Sequence, residues 1–154
     1  MDSMILTLLI FLPVLGALLM LPAAKFVGKD NPSIFKWIAL IITGIQLVLA
    51  IILYIGFDPS LSVMASPYTV QVDWIKHFNI EYFIGVDGLS MPMVLLTALL
   101  SFLSIGISWN ITKKPLGYFS LFLLLDAGMM GVFMSLDFFL FYVFWEAMLL
   151  PMYF

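Results

Sequence analysis

The chain has 154 residues, of which 64% are hydrophobic and 10% charged, and its mean hydropathy is +1.19. A soluble domain of this length could not bury so much apolar surface, so the composition predicts an integral membrane protein. The net charge of −3 without a basic cluster excludes nucleic acid as a partner, and the lack of cysteine excludes a thiolate-bound iron–sulfur cluster in this chain.

The first apolar segment, residues 4–24, follows Asp2 rather than a basic region. It is long enough to cross about 30 Å of hydrocarbon, so we predict that it spans the membrane and is not a cleaved signal peptide. Four more apolar segments follow. Backbone groups in lipid must be hydrogen-bonded within the chain, so all five segments are predicted to be helices. The other four lie at about residues 34–57, 91–109, 118–134 and 138–154.

The positions of the lysines predict how the chain is oriented. The long connection between the second and third segments, residues 58–85, contains only Lys76. The positive-inside rule therefore places the first and third connections in the cytoplasm, and the N-terminus and the 58–85 loop outside. This outer loop has one strand-like alternation, at Val70, Val72 and Trp74. The other lysines flank the first and third connections, at Lys25, Lys29, Lys36, Lys113 and Lys114.

Glu146 lies in the middle of the last apolar segment, nine residues after Asp137. At about 1.5 Å per residue it is about 14 Å deep, near the membrane midplane. A carboxyl group at the centre of a membrane helix costs about 2.5–3.5 kcal/mol to insert, and such residues usually mark ion pathways. We therefore predict that Glu146 transfers protons. The alternative is a protonated residue that only packs.

Asp126 is predicted to lie at the same depth as Glu146, because it precedes Ser135 by nine residues on the adjacent antiparallel helix. If the two carboxyl groups face each other in a medium of low dielectric constant, both cannot be ionised, and they share a proton. Asp126 is therefore a possible proton-sharing partner of Glu146. Its alternative is a protonated packing residue that bonds a neighbouring backbone group.

Pro151 is predicted to change the backbone next to Glu146. Proline has no N–H to bond the carbonyl of Ala147, so that carbonyl is freed. It either holds a water beside the carboxyl group or marks a simple kink. Aromatic residues surround this last helix on all sides, which predicts that other helices cover it.

The remaining site residues have structural interpretations. Gly128 and Gly131 are small residues on the fourth helix and predict close helix packing. Asp87 and Asp137 precede the third and fifth helices and are predicted to cap them. His77 is predicted to be a solvated residue of the outer loop.

Two stretches carry a family resemblance. The segment GVFMSLDFFLFYVFWEAMLLPMYF (131–154) and the segment GVDGLSMPMVLLTALL (85–100) resemble subunit M, also called subunit 4, of proton-translocating NADH:quinone oxidoreductase (respiratory complex I). The resemblance implies an all-α integral membrane fold that begins an antiporter-like inverted-repeat bundle. Residues 1–109 would hold three leading helices. Residues 110–154 would be the first two helices of the first repeat, cut short where the chain ends within an apolar run.

The resemblance also implies a function. The subunit would couple quinone reduction to proton pumping through buried ionisable residues, as part of an enzyme complex. Glu146 matches the family's fifth-helix glutamate, whose lysine partner lies beyond this chain. No cofactor is expected in this chain, and NADH, FMN, iron–sulfur clusters and quinone would bind other subunits. The expected partners are the lipid bilayer and neighbouring antiporter-like subunits, in the bacterial inner membrane.

Other functions share the buried glutamate. A cation/proton antiporter of the Mrp type and a membrane-bound hydrogenase subunit use similar repeats. The residues after Glu146 favour the complex I subunit over the Mrp type. A structural membrane scaffold is the alternative in which Glu146 has no transport role.

Overall fold

The computed structural model describes residues 2–62, 66 and 68–154, with side chains from residue 4 onward. Within that part of the chain the fold comprises five α-helices and one two-stranded antiparallel sheet. Helices α1 to α4 are each long and apolar enough to cross a membrane, whereas α5 has 16 residues. The predicted five-helix membrane fold is confirmed. The elements are α1 (Asp2–Val27), α2 (Pro32–Gly56), β1 (Thr69–Ile75), β2 (Ile80–Gly85), α3 (Ser90–Ile107), α4 (Pro115–Met134) and α5 (Phe138–Tyr153), with 3-10 turns at Lys76–Phe78 and Ser108–Asn110.

Glycine and proline residues set the helix ends that differ most from those predicted by hydropathy. Helix α1 continues to Val27, and Gly28 then adopts a φ of +92° while its N–H bonds the Ala24 carbonyl at 3.1 Å. Glycine suits this left-handed position because it has no Cβ. Helix α4 begins at Pro115, three residues before the predicted start at 118, and proline is well tolerated in a first turn.

Helix α4 is the centre of the bundle, because it packs against α1, α2, α3 and α5. The buried apolar residues form two clusters along it. One cluster includes Leu9 and Met130, and the other includes Met20 and Leu123. Most of the buried polar side chains lie between these clusters, so the bundle has a polar layer near its middle. The members of this layer are Thr43, Gln46, Ser101 and Asp126.

The β1–β2 hairpin lies at one end of the bundle, which we call the hairpin end. Its strands pair from Thr69 with Gly85 to Ile75 with Ile80, with an irregularity after Asp73. The alternation in the outer loop predicted β1, whereas β2 has no such pattern and was not predicted. The opposite end of the bundle is called the lysine end here.

The hairpin is attached to the turn between α4 and α5. The Leu136 N–H donates to the Phe83 carbonyl at 2.8 Å, and Ser135 forms an isolated bridge with Ile84. The Glu81 N–H also donates to Asp137 Oδ2 at 3.4 Å. Backbone bonds thus link the sheet directly to the helical hairpin that contains Glu146.

Candidate functional site

Glu146 lies on an uncovered face of α5. The side chain is exposed in this chain, and the exposed Tyr142 lies one turn earlier on the same side of the helix. Leu140 is the one residue of α5 that is fully buried among those described. The predicted cover by other helices on all sides is not found among the described residues, where α4, β2 and the Trp74 ring of β1 contact α5.

Asp126 lies in a different environment from Glu146. It is fully buried in α4, and Ser101 Oγ on α3 donates a hydrogen bond of 2.6 Å to its Oδ1. The contact between α4 and α5 instead involves Gly128 and Gly131, which lie against Met148 and Phe144, respectively.

The expected Asp126–Glu146 pair is therefore wrong for this chain. Two residues along a helix correspond to a rotation of about 200°, so Asp126 and Gly128 lie on nearly opposite faces of α4. The same rotation separates Phe144 from Glu146 on α5. Equal depth placed the two carboxyl groups at one level, but both point away from the contact between their helices.

Gln46 is a polar neighbour of Asp126 that was not predicted from the sequence. It is fully buried in α2, and its amide lies close to the Asp126 carboxyl group. Its Nε2 donates to the Leu9 carbonyl on α1 at 3.0 Å. That carbonyl has no helical donor, because residue Pro13 four positions later has no N–H. A proline on α1 thus provides the acceptor that fixes the orientation of the Gln46 amide.

Two oxygens in this layer have no hydrogen-bond partner among the described residues, Gln46 Oε1 and Asp126 Oδ2. The hydroxyl of Thr43 is not free to serve them, since it bonds the Ala39 carbonyl at 2.8 Å. Buried acceptors without a donor are rare in native proteins because each costs free energy. The layer is therefore a place where a proton or a water would be held.

Pro151 lies within α5, one turn after Ala147, whose carbonyl has no helical donor for the same reason as that of Leu9. Ala147 is exposed, and both residues line a cavity of about 380 Å³ between α1, α4 and α5. The lining is almost entirely apolar and includes Gly128 and Phe144. The water and the kink interpretations of Pro151 both stay open.

The two small residues of α4 allow close contact with α5. A Cβ on Gly128 would lie 3.0–3.2 Å from backbone and Cβ atoms of Met148, and one on Gly131 would overlap the ring of Phe144. This close approach holds α5 in place and thereby fixes the face on which Glu146 lies.

Asp137 and Asp87 cap helices at the hairpin end. Asp137 Oδ1 accepts from the N–H groups of Phe139 and Leu140 at 2.9 and 3.1 Å. Asp87 Oδ1 accepts from the N–H of Ser90 at 2.6 Å, and Ser90 Oγ accepts from the N–H of Asp87 at 2.9 Å. The bond from the Ser90 N–H is the main cause that holds the pKa of Asp87 below its usual value. His77 is exposed in the 3-10 turn between the strands.

Sequence reasoning could have found one of the missed residues. Gln46 is the one amide in the apolar segment 34–57, and a buried amide in lipid needs partners. Ser101 gave no such signal, because serine is common in membrane helices. Among the described residues, no three His, Asp or Glu side chains come together as a metal site would need.

A bundle of long apolar helices around a buried polar layer is the architecture of a multi-pass membrane protein, and most of its outward-facing residues are apolar. Comparisons with known proteins make this class more specific. No family model matches the chain. It is 39% identical over 156 residues to NADH-quinone oxidoreductase subunit M of Escherichia coli K12, covering 98% of this chain and 30% of that protein.

A second relative is NAD(P)H-quinone oxidoreductase chain 4 of Synechococcus sp. CC9902, which is 38% identical over 96% of this chain and 26% of its own length. The structure is similar to a chain of respiratory complex I from Thermus thermophilus with bound NADH, with a TM-score of 0.73 and 25% identity over 95% of this chain and 27% of that one. The predicted resemblance to subunit M is confirmed. The chain spans less than a third of the relatives it matches.

An archaeal respiratory complex is also similar. A chain of the membrane-bound sulfane sulfur reductase matches with a TM-score of 0.72 and 27% identity, over 98% of this chain and 30% of that one. The same arrangement of helices therefore occurs in a complex that is not named as an NADH dehydrogenase.

Proposed function

We propose that this chain is part of an antiporter-like, proton-translocating membrane subunit of an NADH:quinone oxidoreductase. The proposal is supported by 39% identity to an NADH-quinone oxidoreductase subunit M and 38% identity to an NAD(P)H-quinone oxidoreductase chain 4, over nearly the whole chain. The observation that carries it is Glu146, an ionisable group in the middle of an apolar helix. In a bilayer such a group is costly unless it faces protein or water and serves ion transfer.

The transfer group in this proposal is the Glu146 carboxyl group. The carboxyl group accepts a proton when charge moves along the buried ionisable residues of the membrane subunits. It releases the proton when a neighbouring cation approaches. By resemblance that cation is a lysine outside this chain. Asp126 is left out of this step, because it faces Ser101 rather than Glu146.

The rest of the proposal concerns the complex. Residues 1–109 would be the leading helices, and residues 110–154 would open the first inverted repeat. NADH, FMN, iron–sulfur clusters and quinone would bind other subunits, and no redox centre is proposed here. Other membrane subunits would be the partners, in the inner membrane of a bacterium.

The test is Glu146→Gln in the intact complex. Glutamine preserves the size of the side chain and its capacity for hydrogen bonding but cannot ionise. We therefore expect NADH-driven proton pumping to fall about a hundredfold or more, the usual size of a proton-transfer contribution. Tyr142→Phe is the matched control on the same face, and it should retain most of the pumping. Normal pumping by the glutamine variant would favour the scaffold function instead.

A second candidate is a subunit of another membrane-bound redox complex, because the sulfane sulfur reductase shares the fold. The electron donor separates the two candidates. Membranes that contain the assembled complex should reduce quinone with NADH if the proposal is right. Pumping that needs added Na⁺ would favour a cation antiporter.

A further inference from the structure

In the polar layer between α1, α2, α3 and α4, two buried oxygen atoms lack a hydrogen-bond donor among the described residues. Asp126 Oδ2 and Gln46 Oε1 are both buried acceptors, and neither has a partner among the described residues. Asp126 Oδ1 and one of the two N–H groups of Gln46 are engaged, and the second N–H cannot serve the oxygen of its own amide. Asp126 Oδ1 accepts from Ser101, and Gln46 Nε2 donates to the Leu9 carbonyl.

Exchanging the positions of the Gln46 amide nitrogen and oxygen does not supply the missing donors. The flip would place an oxygen against the Leu9 carbonyl and leave that carbonyl without a donor. Its helical donor is already missing because of Pro13. The amide orientation is therefore fixed from α1, and Gln46 presents an acceptor that needs a donor from elsewhere.

We infer that the Asp126 carboxyl group binds a proton on Oδ2 and donates it in a hydrogen bond to Gln46 Oε1. One proton then satisfies both oxygens. The result is a neutral chain of hydrogen bonds from Ser101 through Asp126 and Gln46 to Leu9, which joins all four spanning helices. A neutral acid also avoids an ionised carboxylate in the apolar interior, where no cation compensates it.

The charged residues on neighbouring helices do not alter this reasoning. Lys25 lies in the last turn of α1. On α2, Lys36 lies ten residues before Gln46, or about 15 Å along the helix, where its ammonium group stacks over Trp109. Helix α3 contains no ionisable residue, and on α5 Glu146 is exposed on the face away from α4.

The inference goes beyond the proposed role of Glu146 and does not depend on it. Loss of the proton would leave both oxygens without a donor in the bundle interior. Release would then require the Gln46 amide to rotate and break its bond to Leu9. The bond from Gln46 to Leu9 therefore helps to retain the proton on Asp126.

Infrared difference spectroscopy of the intact protein in its membrane complex tests the inference. The spectrum of the wild type minus that of Asp126→Asn should contain the C=O stretch of a protonated carboxyl group at neutral pH, and this band should shift in D₂O. The band should persist in Glu146→Gln. Carboxylate bands in its place would mean that Asp126 is ionised, which would overturn the inference.

Two further variants test the hydrogen-bond partner, and they serve also if Asp126→Asn does not assemble. Gln46→Leu removes the acceptor and should move the band. Thr97→Val is the matched control, because its buried hydroxyl bonds the Met93 carbonyl within α3 and should leave the band unchanged. A C=O band whose frequency is unchanged in Gln46→Leu would refute the assignment of Gln46 as the hydrogen-bond partner of Asp126.

Discussion

Gly131→Ala tests the packing that positions α5. The added Cβ would overlap the ring of Phe144, which lies directly against Gly131 in the structure. The ring cannot turn away freely because it also packs against the apolar cluster at the hairpin end. Forcing one methyl group into a well-packed contact costs about 1–3 kcal/mol. We therefore expect the contact between α4 and α5 to be destabilised by about that free energy.

Gly117→Ala is the matched control on the same helix. A Cβ at Gly117 meets nothing within 4 Å, and alanine favours the helix by up to about 1 kcal/mol. Both variants gain this helix propensity, so they should differ by the packing clash alone, about 1–3 kcal/mol, with Gly131→Ala the less stable. Thermal unfolding of the purified protein in mild detergent measures the difference. Equal midpoints for the two variants would refute the packing argument.

Two further predictions concern the helix caps at the hairpin end. Asp137→Ala should cost about 1 kcal/mol, because the first turn of α5 loses its acceptor; Asp30→Ala, at an exposed residue that caps no helix, is the control in the same unfolding assay. The cap at Asp87 should weaken only in acid. Its pKa is lower in the folded protein than in the unfolded chain, so its contribution is complete above about pH 4 and disappears as the pH falls through the folded value. The protection of the Ser90 amide against hydrogen exchange, relative to the unfolded chain at the same pH, measures this loss, and protection that is constant down to that range would contradict it.

The sequence was sufficient to predict the helices because hydrophobic length is a local property. Segments near 20 apolar residues have one structural solution in lipid, and α1 to α5 follow them closely. The caps at Asp87 and Asp137 were predictable for the same reason. Each carboxylate bonds N–H groups two or three residues away, so no knowledge of the rest of the fold is needed.

The side-chain partners could not be predicted in the same way. Depth follows from counting residues, whereas the direction of a side chain depends on which faces of two helices meet. The small residues Gly128 and Gly131 did indicate the face of α4 that meets α5, and that face excludes Asp126. Used together with depth, they would have corrected the expected pairing with Glu146.

The partner of Gln46 is a long-range feature. Its acceptor, the Leu9 carbonyl, is 37 residues away and is available only because of Pro13. A proline in an apolar helix indicates a freed carbonyl, but the sequence does not show which side chain reaches it. Only the packing of α1 against α2 supplies that information.

The attachment of the β1–β2 hairpin to the turn after α4 has a mechanical consequence. Main-chain atoms make this joint, through Leu136 and Phe83, so an ordinary side-chain replacement leaves it intact. A tilt or a translation of α5 must therefore move the β1–β2 hairpin with it, or else break the hydrogen bond between Leu136 and Phe83. A reporter dye on the exposed turn near His77 would thus register from the water phase what happens to a helix inside the membrane.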